Sequence, residues 1–110
     1  MDYEAILSRK LRSLFPDKDR RAEARAILDT YGIENHEQEA VRVRLTVLKL
    51  SGSDLEGIKR TTDFAKQDFR DVVSWAEYPR QSKKWSMPDA PKKQKLIEAD
   101  RAEYEAWLST

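Results

Sequence analysis

Asp68 and Asp71 are the residues whose spacing most resembles a site. With Phe64, Trp75 and Tyr78 they follow one another at steps of three and four, so a continuous helix would line them up as one acidic-aromatic stripe. Two carboxylates one turn apart could hold a cation through oxygen ligands. They could also present a negative notch to a basic partner, with the rings as walls. The commoner role for such aspartates is structural, paired with Arg70, with Arg42 and Arg44 of a neighbouring helix, or with Arg21 and Arg25. Asp68, Asp71, Trp75 and Tyr78 therefore form the candidate functional surface, with a structural ion pair as the competing role.

A second group is basic. Between residues 80 and 95 stand Arg80, Lys83, Lys84, Lys92, Lys93 and Lys95 against one acid, Asp89. Tyr78 and Trp85 add rings, and single-stranded nucleic acid is held by cations on phosphates and rings on bases. Arg80, Lys83, Lys84, Trp85, Lys92 and Lys93 are the candidate contacts. Over the whole chain 21 Lys and Arg balance 20 Asp and Glu, which argues against strong non-specific affinity.

Other chemistries lack their residues. His36 is the single histidine and there is no cysteine, so thiolate metal sites, disulfides and helical two-histidine zinc motifs are excluded. Gly32, Gly52 and Gly57 lie too far apart for a phosphate-cradling loop, and no serine sits in a nucleophile-elbow pattern. No catalytic residue, metal or cofactor is expected, and an enzyme or metal-binding protein built on Asp68 and Asp71 ranks third among the functions. No stretch reaches the roughly 20 apolar residues that span a bilayer. The C-terminal segment carries Glu98, Asp100, Glu103 and Glu105, which anionic lipid would repel. A cytoplasmic protein without a membrane partner is expected.

The elements that must carry these groups are helical. With 110 residues, 39% apolar and 37% charged, the chain has material for one thin core. Asp2 can cap a first helix bearing Ile6, Leu7, Leu11, Leu14 and Phe15, which Pro16 stops. Asp17 or Asp19 can cap a second, with Ala22, Ala26, Ile27 and Tyr31 on one side, Gly32 as left-handed terminator and Ile33 as its apolar contact. Asn35 with Gln38 signals a third start. The stretch from Val41 to Leu50 alternates like a half-buried strand. The start signal at Asn35, the Gly52 terminator and the lack of a second strand favour a helix buried on two sides, Val41, Leu45 and Leu48 on one and Val43, Val47 and Leu50 on the other.

Ser53-Asp54-Leu55-Glu56 is a capping box opening a long helix to Glu77. Leu55, Ile58, Thr62, Ala65, Phe69, Val72 and Ala76 form a coiled-coil-like seam along it. The expected fold is an all-α small bundle built on an antiparallel helical hairpin, residues 36–51 against 54–77, with two short N-terminal helices and a C-terminal one. It is one domain, 1–110: a core over 17–79, a basic loop over 80–90 after Pro79, and a peripheral helix over 91–108 whose narrow apolar side (Ile97, Tyr104, Trp107, Leu108) packs loosely.

The stretches RAILDTYG (25–32), VRVRLTVLKLSGSDL (41–55) and AKQDFRDVVSWAEYPR (65–80) resemble a group of short bacterial proteins of unassigned function. That group carries tyrosine where Phe69 stands and leucines near Val73, both conservative differences. The resemblance covers just over half the chain. It implies a helical fold and a bacterial cytosolic origin, and it implies no activity, so no functional residue is carried over. The expected function is a non-catalytic interaction or scaffold protein with an unknown protein partner. The alternative is a nucleic-acid-binding accessory protein using residues 78–95. So long a seam with so few large apolar residues to cover it further suggests burial between two copies, a homodimer about a two-fold axis.

Overall fold

The computed structural model describes residues 2–82 and 90–110. Of these, 79% are helical and none is in a strand. The helices are α1 (Tyr3–Leu14), α2 (Lys18–Leu28), α3 (Ala40–Ser51), α4 (Leu55–Gln67), α5 (Phe69–Glu77), α6 (Pro79–Ser82) and α7 (Ala90–Ser109). The chain is thus an all-α bundle. None of the described helices is long and apolar enough to cross a membrane.

α3 is the central element, packed against α1, α4 and α5. Val43, Leu45, Val47 and Leu48 are buried on more than one side of it, and even Thr46 is buried, its hydroxyl donating to the Val43 carbonyl at 2.7 Å. Val41 is only half-buried and Leu50 is exposed, so the buried surface is displaced from the two expected faces. The core continues through Leu7 and Leu11 of α1, Leu28 of α2, Ile58 of α4 and Val72 of α5.

The two N-terminal helices begin where an aspartate can accept an orphan amide. The Ala5 N–H donates to Asp2, and the Asp19 N–H to Asp17. The buried side of α2 differs from expectation: Ala24, Leu28 and the following Tyr31 face the core, while Ala22 and Ala26 are exposed. Gly32 does take a positive φ, 105°, and a Cβ there would lie 2.7 Å from that of Ala40. Ile33 makes no apolar cap; it is 73% exposed.

The third start signal is superseded. α3 begins at Ala40 rather than 36, because Glu37 claims the preceding loop. Its buried carboxylate accepts from the N–H groups of Gly32, Ile33 and Glu34 at 2.8, 3.1 and 3.3 Å. Burial opposes that charge, but the three amides outweigh it and hold the Glu37 pKa below the ordinary carboxylate value. Tyr31 closes the same loop by donating to the Gln38 carbonyl at 2.9 Å, and burial raises its pKa to about 12.

The long helix is two helices. Asp68 is extended (φ −153°, ψ 96°), ending α4 with its own N–H on the Phe64 carbonyl and starting α5 by accepting from the Arg70 N–H at 3.1 Å. Aspartate competes with the helix for backbone bonds and is far better placed at an N-cap than in an interior. Asp54 takes the N-cap of α4 with no side-chain cap bond, so the expected box does not close. Ile58, Thr62, Ala65, Val72 and Ala76 are all buried within the chain. Leu55 and Phe69, the other two seam residues, are half-buried against the same core.

Pro79 opens α6 instead of merely ending a helix, as suits a residue without an N–H. α7 is fastened by polar and aromatic contacts. Asp100, 1% exposed, accepts from the backbone and side chains of both Arg80 and Gln81, at 2.9 to 3.3 Å. At the far end of α7, Arg9 donates to the Leu108 carbonyl, and Lys10 lies 4.4 Å from the Trp107 ring centre and donates to the Thr110 hydroxyl at 2.6 Å. Cations at a helix C-terminus are well placed against its dipole.

Candidate functional site: an exposed aromatic pair and a tyrosine cleft

The break at Asp68 rearranges the expected stripe. Along an unbroken helix Phe64 and Trp75 would be separated by about 16 Å of axial rise. Their ring centres are 5.2 Å apart, tilted by 55°. Both stay 43% exposed, so two large rings meet on the surface without being covered. Asp71 precedes Trp75 by one turn on the same face of α5, is exposed, and has no ion pair among the described residues.

Asp68 is occupied otherwise. It caps α5 and holds Arg70 at 3.2 Å, and this arginine lowers its pKa. The remaining arginines named from sequence go elsewhere. Arg42 forms two 2.9 Å bonds to Glu77 and a 3.1 Å contact with Glu39. Arg44 donates to the carbonyls of Leu28 and Tyr31, and Arg25 bridges Glu4 and Asp29. Of the stripe, then, Phe64, Asp71 and Trp75 share a surface, Asp68 is framework, and Tyr78 turns to a different feature.

Tyr78 lines a cleft of about 400 Å³ between α7 and the ends of α1, α3 and α5. Tyr3 and Tyr104 border it as well, together with Glu39, Arg42, Glu77, Arg101 and Glu105. The Tyr104 hydroxyl is buried without a hydrogen-bond partner. Burial, then the charge of Glu77, raises its pKa. The Tyr104 ring stacks on Trp107 at 5.8 Å. Sequence spacing did not single out this cleft, because its residues come from four helices. Its one local trace is Ile97, Arg101, Tyr104, Glu105 and Leu108, which fall on one side of α7.

Among the candidate nucleic-acid contacts, Arg80 is exposed but tied to α7. Its guanidinium lies 3.0 Å from Asp100 and 2.8 Å from Glu103, so its charge is already met. Lys92 and Lys93 are exposed on the first turns of α7. Lys83, Lys84 and Trp85 lie outside the described residues. Among the described residues a second basic concentration stands in a groove between α1 and α2, lined by Arg12, Lys18, Arg21 and Arg25, with Glu4 the single acid of its lining.

No family model, curated protein or solved structure matches the chain.

Proposed function

We propose that this chain is a non-catalytic interaction protein that docks a basic, apolar segment of another protein on the Phe64–Trp75 face. The observation that supports it is the pair itself: two aromatic rings in contact with each other, each 43% exposed, beside the unpaired Asp71. Aromatic side chains supply much of the energy of protein interfaces, and a lone carboxylate at the rim selects a cation on the partner. Asp63, next to Phe64 in the chain and held only loosely by Lys66 at 3.9 Å, is a further carboxylate on α4. The absence of cysteine and the resemblance to bacterial proteins support a bacterial cytoplasm as its setting.

A photo-crosslinking residue at Trp75, introduced in the native cell, tests this. The expected product is one discrete adduct whose captured segment is basic and apolar, lost on Phe64→Ala. An adduct pattern identical to that from a control position at Arg101, or capture of an acidic segment, rejects the docking face.

A second reading, a polyanion-binding accessory protein, is favoured by the α1–α2 groove rather than by residues 78–95. Arg12, Lys18 and Arg21 line it with no ion pair among the described residues. Affinity for an oligonucleotide would fall steeply with salt and vanish on charge reversal of these three residues. Retention after that reversal excludes the groove.

A further inference from the structure

The tyrosine cleft carries features that a docking face on the opposite partners of α5 does not need. At about 400 Å³ it falls within the roughly 300–1,000 Å³ of small-ligand sites. Glu39, Glu77 and Glu105 outnumber Arg42 and Arg101 around it. Arg42 is engaged by Glu77 and Glu39, and with Arg101 counted against Glu105 the lining keeps one net negative charge.

The backbone points to the same place. Glu39 is the single non-glycine residue with positive φ among the described residues (φ 52°, ψ 50°). A left-handed conformation is costly for a side chain bearing a Cβ, and such strain gathers at functional positions. Here it sets the Glu39 carboxylate at the cleft. The Tyr104 ring already draws one ammonium group, the Lys49 Nζ at 5.7 Å from its centre. Tyr3 and Tyr78, part-exposed, border the opening.

We propose that this cleft binds a small alkylammonium ion, its charge met by Glu39 and Glu105 and its alkyl groups lying against the tyrosines, Ile97 and Leu108. Aromatic faces attract cations through the ring quadrupole, and most strongly when the cation sheds its water. Burial is the main cause of the raised Tyr104 pKa and disfavours charge of either sign; the charge of Glu77, the second cause, is the part that favours a cation. An anion would find only Arg101 without an ion pair among the described residues.

Titration of the full chain with tetramethylammonium and with spermidine, followed by the NMR signals of the tyrosines, tests the site; acetate is the control. Saturable shifts at Tyr3, Tyr78 and Tyr104 with an ammonium probe are expected. Stronger binding of tetramethylammonium supports a quaternary head group, and stronger binding of spermidine a polyamine. Glu39→Gln with Glu105→Gln weakens the affinity by about tenfold, the loss expected when a cation's counter-charges are removed. Glu105 is exposed and has no ion pair among the described residues, so Glu105→Gln alone remains a folded second variant and weakens binding in the same direction. Phe64→Ala leaves the affinity unchanged, which separates this site from the docking face. No saturable shift in the folded protein, equal binding of acetate, or indifference to both glutamine variants overturns the proposal.

Discussion

α3 and α7 are packed on the same bundle, and they are held by different means. α3 buries Val43, Leu45, Val47 and Leu48, and its energy is that of apolar surface removed from water. α7 has 20 residues, yet among those whose exposure is described only Asp100 and Leu108 are fully buried. It is held by a carboxylate accepting four bonds near its middle and by two α1 cations at its C-terminal end. Apolar docking tolerates small shifts, whereas a buried carboxylate is stable only while its donors are in place. α3 is therefore the scaffold, and α7 is a separable wall of the cleft.

Four substitutions would sharpen or break this contrast. Leu45→Ala, at the most buried part of α3, should lower global stability by about 2–5 kcal/mol, seen as a fall in the midpoint of cooperative denaturation. A midpoint shifted by less than a third of that range would mean that α3 is not the core. Asp100→Ala should cost less, about 1–3 kcal/mol, by leaving the α6 amides and Arg80 without their acceptor. Its effect should be local: hydrogen exchange speeds up in α7 while α3 stays protected.

Acid should reproduce the same uncoupling. Burial disfavours the Asp100 charge, but the bonds from Gln81 and Arg80 prevail and set its pKa below the ordinary 3.8. A carboxylate with a depressed native pKa stabilises fully above its unfolded value. That stabilisation fades as pH falls from 3.8 through the lower native value. α7 amides should lose protection in that window before those of α3, and simultaneous loss would show the two helices to be one cooperative unit.

Lys10→Met is expected to be smaller still. Lys10 is 4% exposed, no carboxylate pairs with it among the described residues, and burial lowers its pKa. Replacing a buried charge by an apolar chain of similar length should leave stability within about 1 kcal/mol of wild type, or raise it. A large loss in thermal unfolding would make the Lys10–Trp107 contact the main fastening of α7. Asp71→Ala, on the exposed face of α5, should change stability by no more than about 0.5 kcal/mol. A larger drop would return Asp71 to the framework and remove it from the docking surface.

The same contrast explains what could be read from the residues. α3 was legible as a helix, because the Gly52 stop signal and the lack of a pairing strand outweighed the alternation of Val41, Val43 and Leu45, while the Asn35 start signal misplaced its beginning. The break at Asp68 was not, because the apolar spacing from Ala65 through Phe69 to Val72 keeps its phase across it. A signal existed: Asp68 followed three residues later by Asp71 is a capping aspartate with an acid in the first turn. The Glu37 loop and the Asp100 fastening had no signal of period, since each is one carboxylate meeting amides folded against it. Tyr104 was legible only as part of the apolar side of the last helix, and the cleft it borders was not, because Glu39, Arg42 and Glu77 reach it from other helices.

The bond from Lys10 to Thr110 closes a loop of 100 residues. Chain closure grows costlier with loop length and delays contacts between distant segments. The α3–α4 turn, by contrast, closes over a handful of residues. In refolding, the hairpin and α1 should assemble first and α7 should latch on last, so the tyrosine cleft comes into being only with the final step of folding.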